Sequence, residues 1–300
     1  MAQVYFEEIQ VKSVINRVQA PNMGLKWTIN PYRGCQHACV YCFARKYHLE
    51  LGYNPGLDFN TRIIVKTNAP KVAREQLRSP GWRHETILLG AACDPWQQAE
   101  ARYGITREIV KALLAHQNPL SILTKSTLIL RDADLLAALA RVAEVQVNFS
   151  VGTLDEEVWK NVEPETPKPS KRLEAMGELV KLGVPAGVML APIIPGLSDA
   201  PASIEAVIRA AAEHGANHVS PVTLHLRPGA KEWFMPFLRE TYPYLEPRYA
   251  RLYKGAYAPA EYTQAVARTV EELKRKWGFA NRQRRAPCQA QPRGQLALAL

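Results

Sequence analysis

Three thiols lie within eight residues of one another, Cys35, Cys39 and Cys42, in the segment Asn30–Arg45 that reads NPYRGCQHACVYCFAR. Thiols at this spacing on one loop can converge on a single centre. The chain holds five cysteines, an odd number, and the crowding of three points to metal or cluster binding rather than disulfides. A structural zinc site is normally closed by four protein ligands. His37 could be the fourth, but it lies between the thiols and its reach is awkward. A four-iron cluster held by three thiolates leaves one iron open, and an open iron is a place where a substrate or cofactor can coordinate. A third reading is that the thiols only pack as small apolar groups. The spacing favours the cluster and leaves the other two readings open.

Such a loop has to be held by elements that aim it. From about Trp27 to Leu226 the pattern alternates strand and helix. The apolar runs Leu25–Asn30, Thr86–Ala91, Leu120–Thr124, Val145–Val151, Pro185–Ala191 and His218–Leu226 predict six strands. Helical spacing predicts Ile105–Ala115, Asp132–Val142 with Asp132 as cap, Ser170–Leu182 stopping at Gly183, and Ala202–Glu213 stopping before Gly215. Strands separated by helices pair in parallel through right-handed crossovers. Runs such as Ile87-Leu88-Leu89 are apolar on successive residues, as in strands covered on both faces. An open sheet and a barrel both satisfy this pattern. The expected organisation is an N-terminal extension with one short strand over 1–24, an α/β core over 25–226, a region over 227–279 that closes the core and contains a helix Pro259–Trp277, and a basic, disordered tail over 280–300.

Three hundred residues, 47% hydrophobic and 22% charged, suit a globular chain with a substantial core. This excludes a disulfide-stapled mini-protein, a mostly disordered chain and a collagen-like one. The most apolar stretch, Val184–Leu197, is interrupted by prolines and too short to span a bilayer. Acidic residues stand where a signal peptide would be basic, so the chain is expected to be cytoplasmic, with no membrane partner. The formal net charge is +10, and seven basic residues with no acidic one fall between Lys274 and Leu300. A basic tail is a weak pointer to nucleic acid.

The spacing Cys-x3-Cys-x-aromatic-Cys on a loop after a first strand, with Tyr41 in the aromatic slot, resembles the signature of the radical S-adenosylmethionine (SAM) superfamily. The fragments GAACDPWQQAE, LTKS, LRDADLL, FSVGTLD, VEPETPKPSKRLEAM and APIIPGLSD extend the resemblance to its spore photoproduct lyase-like group, over roughly Asn30–Asp199. The resemblance implies a partial (βα)6 barrel of the TIM type. It implies a [4Fe–4S] cluster on Cys35, Cys39 and Cys42 whose open iron binds the amino and carboxylate groups of SAM. Reductive cleavage of SAM then yields methionine and a 5′-deoxyadenosyl radical that abstracts hydrogen from a substrate, with electrons from an external donor of flavodoxin or ferredoxin type.

The same resemblance places Lys125 and Ser150 against the SAM carboxylate, Asp94 against its amino group, and Arg172 either against SAM or paired with Glu163. Cys93 takes the place of a cysteine that returns a hydrogen atom to the product radical, and Tyr41 that of a tyrosine in the radical relay. Two departures set the chain apart from the lyase. Asp94 directly follows Cys93, and Phe43, after the third cluster cysteine, has no phenolic hydrogen. Three functions therefore stay in view: a radical SAM enzyme acting on a substrate the sequence does not name, a DNA-repair lyase of the same chemistry, and a non-catalytic cluster or zinc protein that meets nucleic acid through its tail.

Overall fold

The computed structural model describes residues 3–18 and 25–279; the expectations for the tail, including Cys288, lie outside the described residues. Among the described residues there are ten strands: β1 Tyr5–Ile9, β2 Ile15–Arg17, β3 Trp27–Ile29, β4 Tyr32–Arg33, β5 Arg62–Lys66, β6 Ile87–Leu89, β7 Leu120–Thr124, β8 Val145–Ser150, β9 Ala186–Ile193 and β10 Val219–Thr223. Six of them form a parallel sheet in the order β10-β9-β8-β7-β6-β3, and β2 adds an antiparallel edge on β3. The helices Ile105–Ala115, Ala133–Val142, Pro169–Lys181 and Pro201–Glu213 cross between successive strands from β6 to β10. This is the expected partial (βα)6 barrel. The sheet stays open, because β10 and β2 are its two ends.

Alternation along the strands separates core from site. In β8, Val145, Val147 and Phe149 are buried in the main core with Ile109, Leu113, Leu136, Leu139, Met176 and Leu179 of the helices. Gln146, Asn148 and Ser150 point to the other face, since successive side chains of a strand alternate. A second core lies over the cysteine loop. There Cys39, Val40 and Tyr41 pack with Leu224, Leu226, Phe234, Leu238, Tyr249 and Tyr253. The C-terminal region thus closes on the loop rather than standing apart.

The N-terminal extension carries two strands where one was expected. β2 borders the main sheet, while β1, β5 and β4 make a separate small sheet. β5 and the helix Ala69–Arg78 fall in a stretch that the periodic reading did not resolve. That helix has a proline in its first turn, where the missing N–H is tolerated. Asp132 precedes its helix as expected but does not cap it. Its carboxylate instead accepts from Trp96 Nε1 at 2.8 Å, Arg107 at 2.8 Å and Arg131 at 2.8 Å. Helix Pro169–Lys181 begins one residue before the predicted Ser170, again on a proline.

Candidate active site: a cysteine loop above the strand ends

The loop is built by its neighbours. The chain passes from β3 through Asn30-Pro31 and the short β4 before it turns at Gly34, where φ is +80°. A Cβ there would stand 2.9 Å from the carbonyl oxygens of Arg62 and Phe59, so the turn requires glycine. Cys35 N donates to Phe59 O at 2.9 Å, and Val40 N to Val162 O at 3.0 Å. Gln97 clamps the turn from the other side, accepting from Gln36 N at 2.9 Å and donating to Gly34 O at 3.1 Å.

Arg45 holds the far end. It is fully buried, stacked over Phe59 at 4.9 Å and Trp233 at 5.0 Å. Its guanidinium donates to the carbonyls of Cys39 at 2.9 Å, Pro55 at 2.8 Å and Gly56 at 2.8 Å. A planar fork with five donors suits this task.

One cavity of about 190 Å³ lies under the loop. It is lined by Cys35, Cys39 and Cys42 from above, and from below by Cys93-Asp94, Thr124-Lys125, Ser150 and Ala191-Pro192, all at or just past the C-terminal ends of β6 to β9. Barrel sites are built at this rim. Tyr41, Phe43, His37 and His225 complete the wall. The structure therefore brings together every cofactor and catalytic residue singled out above except Arg172, which does not line the cavity.

The buried polar groups form two sets. In the first, the Asp94 carboxylate accepts from Thr124 Oγ1 at 2.9 Å, Lys125 N at 2.6 Å and Trp96 N at 2.9 Å, with His37 Nδ1 at 3.4 Å. His37 is thus turned toward a carboxylate, and its pKa is held below the usual value, chiefly by burial. In the second set, the Glu163 carboxylate accepts from Tyr41 Oη through Oε1 and from Arg172 Nη2 through Oε2. Arg172 is fully buried and also donates to the carbonyls of Ser150 at 2.9 Å and Pro167 at 2.8 Å. Its guanidinium serves the frame of the site. Ser150 Oγ donates to Ala191 O at 2.7 Å. Lys125 is partly buried; burial opposes its ammonium, yet its neighbours Cys39 and Glu163 hold its pKa above the ordinary value.

Burial pushes the Cys39 and Cys93 thiols up to about 12, and the Cys35 thiol well above its ordinary value. A coordinated metal reverses that preference outright. Among the described residues, no three His, Cys, Asp or Glu side chains are grouped closely enough to hold one metal ion. A four-iron cluster spreads its thiolates over different irons. Three thiols on one loop are a donor set that fits a four-iron cluster with one open iron.

Arg45, Gln97 and Glu163 all hydrogen-bond to the loop, and the sequence reading gave the first two no role. Their signal is a fully buried charged or amide side chain, which only the fold reveals.

A family model described as the Radical SAM superfamily matches residues 29–219. An uncharacterized protein of Mycobacterium tuberculosis is 41% identical over 286 residues, covering 95% of this chain and 84% of the relative. One of Methanocaldococcus jannaschii is 33% identical over 192 residues, covering 64% of this chain and 69% of the relative. Among solved structures, spore photoproduct lyase complexed with dinucleoside spore photoproduct superposes with a TM-score of 0.67 at 15% identity, over 91% of this chain and 79% of that one. A variant of that lyase with bound SAM and dinucleoside spore photoproduct gives 0.66 at 15% identity, over 91% and 78%. The shared fold, the matched core and the cysteine loop above the strand ends make this chain a member of the radical SAM superfamily.

Proposed function

We propose that Cys35, Cys39 and Cys42 hold one [4Fe–4S] cluster, that SAM binds beside it in the same cavity, and that the chain abstracts hydrogen from a substrate. The observation that carries this reading is the convergence of three loop thiols, Lys125 and Ser150 on one cavity at the strand ends. When bound and reduced, the cluster supplies the electron that splits SAM into methionine and a 5′-deoxyadenosyl radical. The electron comes from an external low-potential donor.

The protein's own part is binding, orientation and exclusion of water. Lys125 offers an ammonium to the SAM carboxylate, with the Ser150 hydroxyl nearby on the same wall. Asp94 fixes the Lys125 backbone and the Thr124 hydroxyl, so the strand end is rigid where the ligand meets it. The aromatic cover of Phe234, Tyr249 and Tyr253 packs in one buried cluster with the loop residues Cys39, Val40 and Tyr41.

Cys93 favours a second, narrower reading. It lines the cavity just after β6, within reach of a radical chemistry that needs a returning hydrogen atom, as in a lyase-like DNA-repair enzyme. Phe43, beside Cys42 in the same wall, argues for a different relay. Anaerobic reconstitution tests the main reading: four irons and four sulfides per chain support it, and zinc in their place overturns it. Incubation with a dinucleoside spore photoproduct then separates the two readings, since only the narrower one expects its reversal to thymines.

A further inference from the structure

Lys125 stands in an unusual relation to its nearest carboxylate. Its Nζ is 4.0 Å from Glu163 Oε1, whereas a lysine and a carboxylate free to meet close to about 2.7–2.9 Å. Both groups are screened from water, with side chains 18% and 5% exposed, so the attraction between them is strong. Something keeps them apart. Oε1 is the very atom that accepts from the Tyr41 hydroxyl, and the ring of that tyrosine lies 5.7 Å from the ammonium. Oε2 is taken by Arg172 and, at 3.3 Å, by Thr166 Oγ1. The Glu163 carboxylate is therefore engaged on both oxygens before Lys125 is considered. Glu163, Arg172 and Lys125 together carry one negative and two positive charges, and the surplus positive charge is the one that faces the cavity.

We infer that the Tyr41 hydroxyl is a positioning group: by occupying Glu163 it withholds that carboxylate from Lys125 and leaves the ammonium for the carboxylate of the incoming cofactor. The residue between two cluster cysteines thus also sets the neighbouring SAM subsite, through a hydrogen bond that spans from the loop to the segment after β8. Tyr41→Phe removes only the hydroxyl. Oε1 is then open, Lys125 closes on Glu163, and SAM must compete with an internal ion pair. Glu163→Gln removes the competing charge and has the opposite consequence, leaving Lys125 unattached. A general loosening of the site would move both variants the same way.

This inference rests on the proposed SAM site. The test is equilibrium binding of SAM and of decarboxylated SAM, measured anaerobically on full-length protein with matched cluster content. The wild type prefers SAM. Tyr41→Phe loses about tenfold in SAM affinity, the loss of one charge-assisted contact, and almost nothing for the decarboxylated analogue. In a Lys125→Ala background, Tyr41→Phe has no further effect. Glu163→Gln keeps the preference for SAM; it also leaves Arg172 without its buried partner, and if it does not fold, the Tyr41/Lys125 cycle carries the test alone. A wild type that prefers SAM while Tyr41→Phe weakens neither ligand, or both equally, overturns this inference and leaves the site standing. A wild type that does not tell the two ligands apart overturns the Lys125 assignment itself, and this inference with it.

Discussion

A buried thiol among apolar neighbours stays protonated, and it changes state only when something stabilises the thiolate. Cys35, Cys39 and Cys93 all have pKa values raised chiefly by burial, yet only Cys35 and Cys39 belong with Cys42 on the loop. Replacing Cys35, Cys39 or Cys42 singly by alanine is expected to abolish cluster loading, while Cys93→Ala keeps it; iron and sulfide analysis after anaerobic reconstitution decides. Lys125 carries a separate expectation. A charge-assisted hydrogen bond contributes roughly 1.5–3 kcal/mol, so Lys125→Ala should weaken SAM binding about ten- to a hundredfold with cluster content unchanged. Lys125→Arg should recover only part of the loss, because a planar fork does not replace a compact ammonium. Equal affinity in the wild type and Lys125→Ala would reduce Lys125 to a strand-end lysine. The cysteines were legible because their spacing is itself the chemistry. Arg172 was legible only as a choice between SAM and Glu163, since nothing local says that a guanidinium is fully buried.

At the scale of elements, the strand ends matter more than the strands. β6 stops at Gly90, where φ is +97° and a Cβ would lie 2.4 Å from Leu123 O on β7. Gly90→Ala should therefore push apart the two strands that present Asp94 and Lys125. The expected cost is more than ~1 kcal/mol, because the backbone conformation is also unfavourable to alanine, and urea unfolding measures it. Behind β8, the buried Glu163–Arg172 pair ties the helix Pro169–Lys181 to the cysteine loop. Breaking a buried pair from one side leaves an uncompensated charge, so Arg172→Ala should destabilise the fold by about 3–5 kcal/mol. A variant with wild-type stability and lost SAM binding would instead return Arg172 to the cofactor. The six parallel strands were readable because both faces are covered and the runs are short and apolar. β5 and the helix after it were not. Arg62 and Lys66 bound a run of only three apolar residues, and Pro70 sits in the first turn of the next helix. The pairing of β5 with β1 is made across more than fifty residues of chain, and that with β4 across more than thirty.

At the scale of the molecule, one rim of a partial barrel gathers the chemistry and the C-terminal region covers it. Among the described residues no helix is long and apolar enough to cross a membrane. The sequence marks 227–279 only as a region that closes the core. That Trp233 would stack on Arg45, and so brace the cysteine loop, depends on packing between segments nearly two hundred residues apart. The central claim is that this assembly splits SAM by one-electron reduction. Anaerobic incubation of the reconstituted protein with SAM and dithionite, followed by chromatographic assay of 5′-deoxyadenosine and methionine, tests it most directly. The wild type is expected to form both products in equal amounts and Cys39→Ala neither; a cluster-loaded wild type that binds SAM yet forms no 5′-deoxyadenosine above a protein-free control would contradict it.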